Sequence, residues 1–354
     1  MNNRNVDERK KALIKASREY FKEEVEELKR INKFGVATYN DDFRLKLKNK
    51  TYYFCKLYAQ DKWERLEREF EAVSYFGKEK ILNVPTAYFA DRKHFFAVYS
   101  YEIGKRKSSG LYTAKDILAV ADSAVRLHLV KPSVKLRIIF PKPTGRACFK
   151  LAGHIVNYKT KLADFLKYYE GLDKEDLFKK RIESFGYLKR ADRVLKKIAG
   201  DVSPVDMEKP IPRQEWRFNH GDFTVDNIIF QKDKGGTNLC FFDWEYCGWD
   251  DPLRMVGDFL VHDQHRGFSE ELKQLFFEEY GKKIKLGRKD TARLRVIMNL
   301  MEVEWIAIYL RLLTPETLKR RKRILRNFDE KTYVEERLTR AQERILNLEK
   351  RLFS

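Results

Sequence analysis

Asp222, Asn227 and Asp243 are the residues of this sequence best spaced to do chemistry together. They lie in FNHGDFTVDNIIFQKDKGGTNLCFFDWE, residues 218–245. His220, Gly221 and Asp222 read as a tight turn, Asn227 opens the apolar run NIIF, and a second apolar run, LCFF, delivers Asp243 at its end. A hairpin between the two runs would bring Asn227 and Asp243 to one end of a sheet. Phosphoryl transfer from a nucleoside triphosphate needs such a set. A carboxylate orients the attacking hydroxyl and accepts its proton, and hard oxygen ligands hold Mg2+ on the phosphates. Taken singly, each residue has an ordinary use: Asp after Gly closes an Asx turn, and Asn caps. Their conjunction, in order and followed by the acidic pair Asp243 and Glu245, favours chemistry.

The elements that must position them follow from periodicity. Residues 7–31 put Ile14, Phe21, Val25 and Leu28 on one face of an amphipathic helix. FRLKLK at 43–48 alternates, Asn49 and Lys50 are turn-like, and TYYFCKLY is a strand, so a hairpin is expected. Residues 61–76 return to helical spacing through Trp63, Leu66, Phe70 and Val73, with Asp61 as N-cap. Val84 and Pro85 break the chain before the strands TAYFAD and HFFAVYSYE, which close at Gly104. Beyond it come helices over 113–130, 154–170 and 174–199, a loop at 201–212, and helix from Asp251 and Pro252 to the end. Sheet plus one helix, then mainly helix, is an α+β arrangement.

HGDxxxxN followed by an apolar strand and hhDxE resembles the aminoglycoside phosphotransferase and choline kinase superfamily, whose fold is that of protein kinases. The resemblance is strongest over 220–258, where EYCGWDDPLRMVGDF adds the Asp251-Pro252 step and Asp258. It implies a two-lobed, protein-kinase-like molecule: an N-terminal helix (1–30), a nucleotide-binding N-lobe (31–103), a C-lobe (104–318) with a substrate insert (123–212), and a C-terminal helix (319–354). It implies Asp222 as catalytic base and Asn227 and Asp243 as magnesium ligands. Asp258 becomes a structural brace, His220 a support for the catalytic loop, and Glu245 either a further magnesium ligand or a surface or capping residue. Such a fold requires a strand Lys that reaches the phosphates and a helix Glu that holds it. Lys56 fits the first, since a Lys among apolar neighbours is costly without an anionic partner. Of Glu67, Glu69 and Glu71, Glu69 in REFEAV best matches the second. HFFAVYSYEIGK looks like the strand and hinge that contact adenine, with Ser100, Tyr101 and Glu102 at the hinge. The phosphate-covering loop at 34–42 holds a single Gly, so Thr38 and Asn40 stand in as donors to the phosphates. That departure, and the absence of a long segment after Asp243, argues against a protein kinase.

Composition sets the remaining bounds. At 354 residues the chain exceeds one hydrophobic core, and 25 Phe and 18 Tyr exclude a disordered protein. No run of about 20 apolar residues and no leader-like segment is present, so a soluble cytoplasmic protein is expected. Four cysteines without CxxC spacing imply a reducing compartment, no disulfides and no structural zinc. A net charge of +20 favours anionic partners: nucleotide, sugar phosphate, acidic lipid or nucleic acid, the last not favoured. Between 123 and 163 stand nine Lys and Arg and no acid. Such a lining would repel a polycationic aminoglycoside and suit a neutral or anionic small-molecule acceptor, unless it is a solvated face. The basic stretch 319–326 raises the same choice between a solvated helix and a nucleic-acid or acidic-membrane patch. His262 and His265 read as helix-end residues. Val334, Leu338, Ala341, Ile345, Leu348 and Leu352 form an a/d seam that either packs within the chain or makes a homodimer. The expected activity is ATP- and Mg2+-dependent phosphorylation of a neutral or anionic sugar or sugar-containing metabolite. The rival is a catalytically decayed basic protein of the same fold that binds RNA.

Overall fold

The computed structural model describes residues 3–31, 40–60, 64–233, 236–325 and 327–354. The chain forms two compact units, each assembled from separated segments. The first comprises Met1–Gly145, Arg217–Trp249 and Arg266–Ile284; the second Arg146–Trp216, Asp250–His265 and Lys285–Ser354. These units are drawn along other lines than the boundary expected at Gly104.

The first unit is built on a five-stranded antiparallel sheet of order β1-β2-β3-β5-β4. Its strands are β1 (Val25–Arg30), β2 (Asp41–Leu47), β3 (Tyr52–Leu57), β4 (Ala87–Asp91) and β5 (Phe96–Ser100). The expected 43–58 hairpin is present, with Arg44 opposite Phe54 and Lys50 left-handed in the turn. Alternation decides the faces. Phe43, Leu45, Leu47, Cys55 and Leu57 bury against Leu13 of helix α1 (Asn3–Phe21). Buried Arg9 of α1 donates to the carbonyls of Tyr58 (2.8 Å) and Phe95 (2.6 Å).

The helix expected over 7–31 ends at Phe21, and 25–30 is strand instead. Lys22 takes a left-handed conformation (φ 51°) that stops the helix. Val25 and Leu28 are three apart, a spacing that suits one helical face. In β1 a bulge between Val25 and Glu27 shifts the register, so Val25 pairs with Leu47 and Leu28 with Leu45 on the sheet's apolar side. Helix α2 (Arg65–Glu79) starts later than expected, after Glu64, and the expected cap Asp61 lies outside the described residues. Helix α3 (Ala114–Leu129) begins at a reciprocal Thr113/Asp116 capping box. α4 (Val134–Ile139) is a short helix the sequence pattern did not indicate. At Gly104 a Cβ would lie 2.4 Å from Ile229 Cγ2, which explains why the chain can pass this close to the second hairpin only as glycine.

The second unit is helical. α5 (Leu151–Glu170) and α7 (Tyr187–Gly200) pack with α9 (Pro252–Val261), α11 (Arg288–Arg311) and α13 (Glu330–Phe353). The single helix expected over 174–199 is two, α6 (Leu177–Phe185) and α7, broken where Gly186 turns left-handed (φ 73°). The loop at 201–212 contains a short helix, α8 (Pro204–Glu208). α10 (Glu270–Ile284) belongs to the first unit and packs on α3; α12 (Pro315–Ile324) carries the basic stretch. Part of that stretch is engaged: Lys322 pairs with Glu330 (2.6 Å), and Arg321 lies 4.5 Å over the Tyr333 ring. The a/d seam is consumed within the chain. Leu338, Ala341, Ile345 and Leu348 are fully buried as α13 packs on α11 and α7, while Val334 and Leu352 are half-buried.

α13 is also pinned by charge. Asp263, just after α9, accepts from Tyr309 Oη and Arg340, with Arg337 3.6 Å away. Burial raises the Asp263 pKa, but Tyr309, Arg340, Arg344 and Arg337 outweigh it and the net shift is downward. A depressed carboxyl stabilises the fold above its unfolded value near ~4 and loses that contribution as pH falls through the folded value. Asp263→Asn is therefore expected to cost about 1.5–3 kcal/mol in urea unfolding at neutral pH. The gap to wild type should close on acidification below about pH 4; a gap independent of pH would show that the charge is not what holds α13.

All four cysteines are free and buried, and no helix among the described residues is long and apolar enough to cross a membrane. His265 is buried and His262 half-buried just after α9, and His265 Nδ1 donates to the Phe259 carbonyl (2.6 Å).

Candidate active site

Lys56 faces away from the α1 side of the sheet because it alternates with Cys55 and Leu57 on β3. There it is 2% exposed and ringed by carboxylates: Nζ lies 2.7 Å from Glu69 Oε2 on α2, 2.5 Å from Asp243 Oδ1 and 3.2 Å from Glu245 Oε2. Burial pulls its pKa down, yet Asp243, Glu245, Glu69 and Asp42 more than reverse this, and the net value stands well above an ordinary lysine's. The ammonium is permanently charged. Glu69 is shifted upward, first by burial and then by Asp243 and Glu245, against the pull of Lys56. The next residue on this face, Tyr58, donates to Glu69 Oε2 (2.9 Å) and shares a hydrogen bond with Tyr99 Oη (2.8 Å).

The catalytic-loop candidates come from the second hairpin, β7 (Ile228–Asp233) and β8 (Gly236–Phe241), preceded by β6 (Arg217–Asn219). Gly221 is left-handed (φ 80°), and its amide donates to Asn219 Oδ1 (2.8 Å). Asn227 Nδ2 donates to both the carbonyl (2.9 Å) and Oδ2 (3.0 Å) of Asp222. Two bonds then tie this loop to the residue before Asp243. Fully buried His220 bonds through Nε2 to the Phe242 carbonyl (3.1 Å), and the Phe242 amide donates to the Asn227 carbonyl (3.1 Å). Asp243 itself is left-handed (φ 68°), a costly state for a non-glycine residue that recurs at functional sites. The four groups are thus joined in two linked pairs within the first unit: Asp222 with Asn227, and Asp243 with Lys56.

Gly221 is the tightest point of the loop: a Cβ there would meet the Tyr246 carbonyl oxygen at 2.4 Å. Gly221→Ala should cost about 1–3 kcal/mol and reduce phosphoryl transfer, because the turn that presents Asp222 must open. Wild-type unfolding and turnover in this variant would show that the turn is not strained.

With Nδ2 committed to Asp222, Asn227 presents its amide oxygen, the donor that magnesium requires. Asp243 offers a carboxylate, and the donor atoms of Glu69, Asp243 and Glu245 lie within 4.8 Å of one another. Hard oxygens beside a fixed ammonium suit Mg2+ on a triphosphate. Asn227 and Asp243 would hold the ion, Lys56 would neutralise phosphate oxygens, and the ion would supply charge stabilisation.

The family profile of phosphotransferase enzymes matches residues 30–296. The chain belongs to this phosphotransferase family. Its fold is also that of solved small-molecule kinases. A spectinomycin phosphotransferase bound to ADP and spectinomycin is 16% identical (TM-score 0.62), with 94% of this chain and 98% of that one covered. An ethanolamine kinase from Plasmodium vivax is 17% identical (TM-score 0.54; 89% and 82% covered). The choline kinase of Streptococcus pneumoniae is 14% identical (TM-score 0.56; 95% and 99% covered). No curated protein matches by sequence.

In this phosphotransferase several expected site residues have other partners. Asn40 is buried, donates to Glu245 and accepts from the Ala59 amide (2.9 Å), so its side chain is committed inside the protein and is not offered to phosphates. Thr38 lies outside the described residues. Ser100 ends β5, where Oγ accepts from the Thr86 amide (2.8 Å) and donates to Glu102. Glu102 also accepts from Gln231 of β7, and the Tyr101 ring stands 6.3 Å from Tyr52. Glu245 is buried, so it is not a surface residue. It is gripped by Arg65 Nη1 (2.6 Å), whose guanidinium also donates to Tyr246 Oη (2.6 Å). Arg65 went unnoticed in the sequence because it stands among the charges of WERLERE, where no periodicity separates it from a surface residue. Tyr58 had a signal: two residues after Lys56, it shares that residue's strand face.

Asp251 caps α9 through the Leu253 amide (2.9 Å) and pairs with Arg293 (2.5 Å), while Asp258 sits among the cations of Arg254, Arg146, His265 and Lys161. The basic block is less open than its composition implies. Arg126, Lys135, Lys142, Lys150 and Lys161 are ion-paired with Asp122, Glu79, Glu64, Glu208 and Glu304.

Proposed function

We propose that this phosphotransferase moves the γ-phosphate of ATP, as its magnesium complex, to a hydroxyl of a neutral or anionic small molecule, a sugar or sugar-containing metabolite. The observation that carries the reading is the pairing of a buried, permanently charged Lys56 with Glu69 and Asp243, in the unit that also holds the Asp222–Asn227 pair. In it Asp222 is the base that accepts the hydroxyl proton, and Asn227 and Asp243 hold the ion. The segment 31–103 forms the nucleotide lobe, with adenine against 100–102. The acceptor class rests on the basic block at 123–163, and the surplus positive charge supports an anionic group on the acceptor. The free, buried thiols support a reducing, cytoplasmic setting.

The test is a thermal-shift series with ATP, GTP and ADP, each with and without Mg2+. A phosphorylation panel of sugars, sugar phosphates, amino alcohols and aminoglycosides then names the acceptor. Nucleotide at about a hundred times its Kd should add about 2.7 kcal/mol of stability, dependent on Mg2+. No nucleotide response, no ATP turnover and a salt-sensitive gel shift with RNA would replace this reading with that of a decayed RNA-binding protein.

A further inference from the structure

Around Lys56 the carboxylates outweigh the cations that pair with them. Lys56 and Arg65 stand among Glu69, Asp243 and Glu245, and buried Asp42, opposite Lys56 on β2, adds another acid. An ammonium has three donors, and Lys56 already faces three of these carboxylates within 3.2 Å. A triphosphate brings its own negative charge into this setting, so one committed lysine is a poor match for it. Arg106 is placed to be a further cation. Lys105 exchanges two backbone hydrogen bonds with Phe230 of β7 (2.9 and 2.8 Å), and Lys107 turns to Asp116 of α3 (2.7 Å). Between them Arg106 is half-buried, with its guanidinium carbon 4.6 Å from the centre of the Phe242 ring. Phe242 is the residue whose backbone joins the Asn227 loop to Asp243, so the guanidinium stands at that joint.

We propose, on the phosphotransferase reading above, that Arg106 binds the β- and γ-phosphates of the nucleotide as a second cation beside Lys56. The carboxylates that act on it are Asp226, the neighbour of Asn227, then Asp243 and Asp42. Each raises its pKa, burial lowers it by more, and an arginine stays charged through such a shift. Asn227 and Asp243 are the residues that would hold magnesium, and that ion bridges β- and γ-oxygens. A guanidinium near Asp226 and Asp243 therefore belongs to the phosphate end of the nucleotide and not to adenine. Its chemistry fits. A ring contact uses the face of a guanidinium and leaves its N–H edge, whose five donors can serve a carboxylate and a phosphate together. Arg106 gave no signal in the sequence, where it stands between two lysines in GKRK.

Calorimetry of ATP with Mg2+ and of AMP, on the full-length wild type, Arg106→Met and Arg106→Lys, separates a phosphate contact from a structural one. Arg106→Met can still pack on Phe242 but loses every donor. It should weaken ATP about 10–100-fold, the range for a hydrogen bond to a charged group. AMP affinity should stay as it is, because AMP lacks the phosphates concerned. Arg106→Lys keeps the charge and loses the fork, so its ATP affinity should fall between the two. Unchanged ATP affinity in Arg106→Met, or equal losses for ATP and AMP in both variants, would overturn the proposal and leave the phosphotransferase reading standing. Wild type that binds neither nucleotide would overturn that reading, and this proposal with it.

Discussion

Asp222→Asn is expected to lower phosphoryl transfer about 10²–10⁴-fold, the range for loss of a general base, with nucleotide affinity nearly unchanged. The amide keeps the size of the carboxylate and can still meet Asn227, which now touches Asp222 Oδ2 at 3.0 Å. What it cannot do is take a proton from the attacking hydroxyl. Steady-state rates beside calorimetric ATP binding separate these effects. Loss of both together would mean that Asp222 organises the site; loss of neither would remove it from the reaction.

Lys56→Met should strike stability as well as activity. The ammonium is the shared partner of Glu69, Asp243 and Glu245, all within 3.2 Å. Methionine fills the space but leaves Glu69 without a cation, and uncompensated buried charge costs about 3–5 kcal/mol. Arg65 still pairs with Glu245, so the loss should centre on Glu69 and Asp243. Urea unfolding reads the first effect and nucleotide turnover the second. Wild-type unfolding in Lys56→Met would mean the carboxylates do not depend on this lysine.

The grouping of the residues proposed to carry this chemistry was legible because their constraints are local. HGD, Asn227 and Asp243 sit within 24 positions, bound together by one hairpin whose strands announce themselves as apolar runs. Lys56 was legible for a different reason: a lysine inside YYFCKLY has to find an anion, and Glu69 is the one it found. Contacts of long sequence range were not legible. Arg65 and Glu245 are separated by 180 residues, and nothing in either neighbourhood signals the other. The misreading of 25–30 had a physical cause as well: a strand bulge reproduces the three-residue spacing of a helical face. The seam on α13 announced an apolar stripe, but only the packing on α11 and α7 revealed what covers it.

The division of the molecule bears on how it can be taken apart. The backbone passes from one unit to the other after Gly145, Trp216, Trp249, His265 and Ile284. A protease that cuts at any one of these junctions frees neither unit, because each is stitched from three pieces of chain. Subcloning residues 31–103 would strand Lys56 and Glu69 without Asp243 and Glu245. Engineers seeking a minimal catalytic fragment should therefore trim surface loops and leave the order of the segments intact.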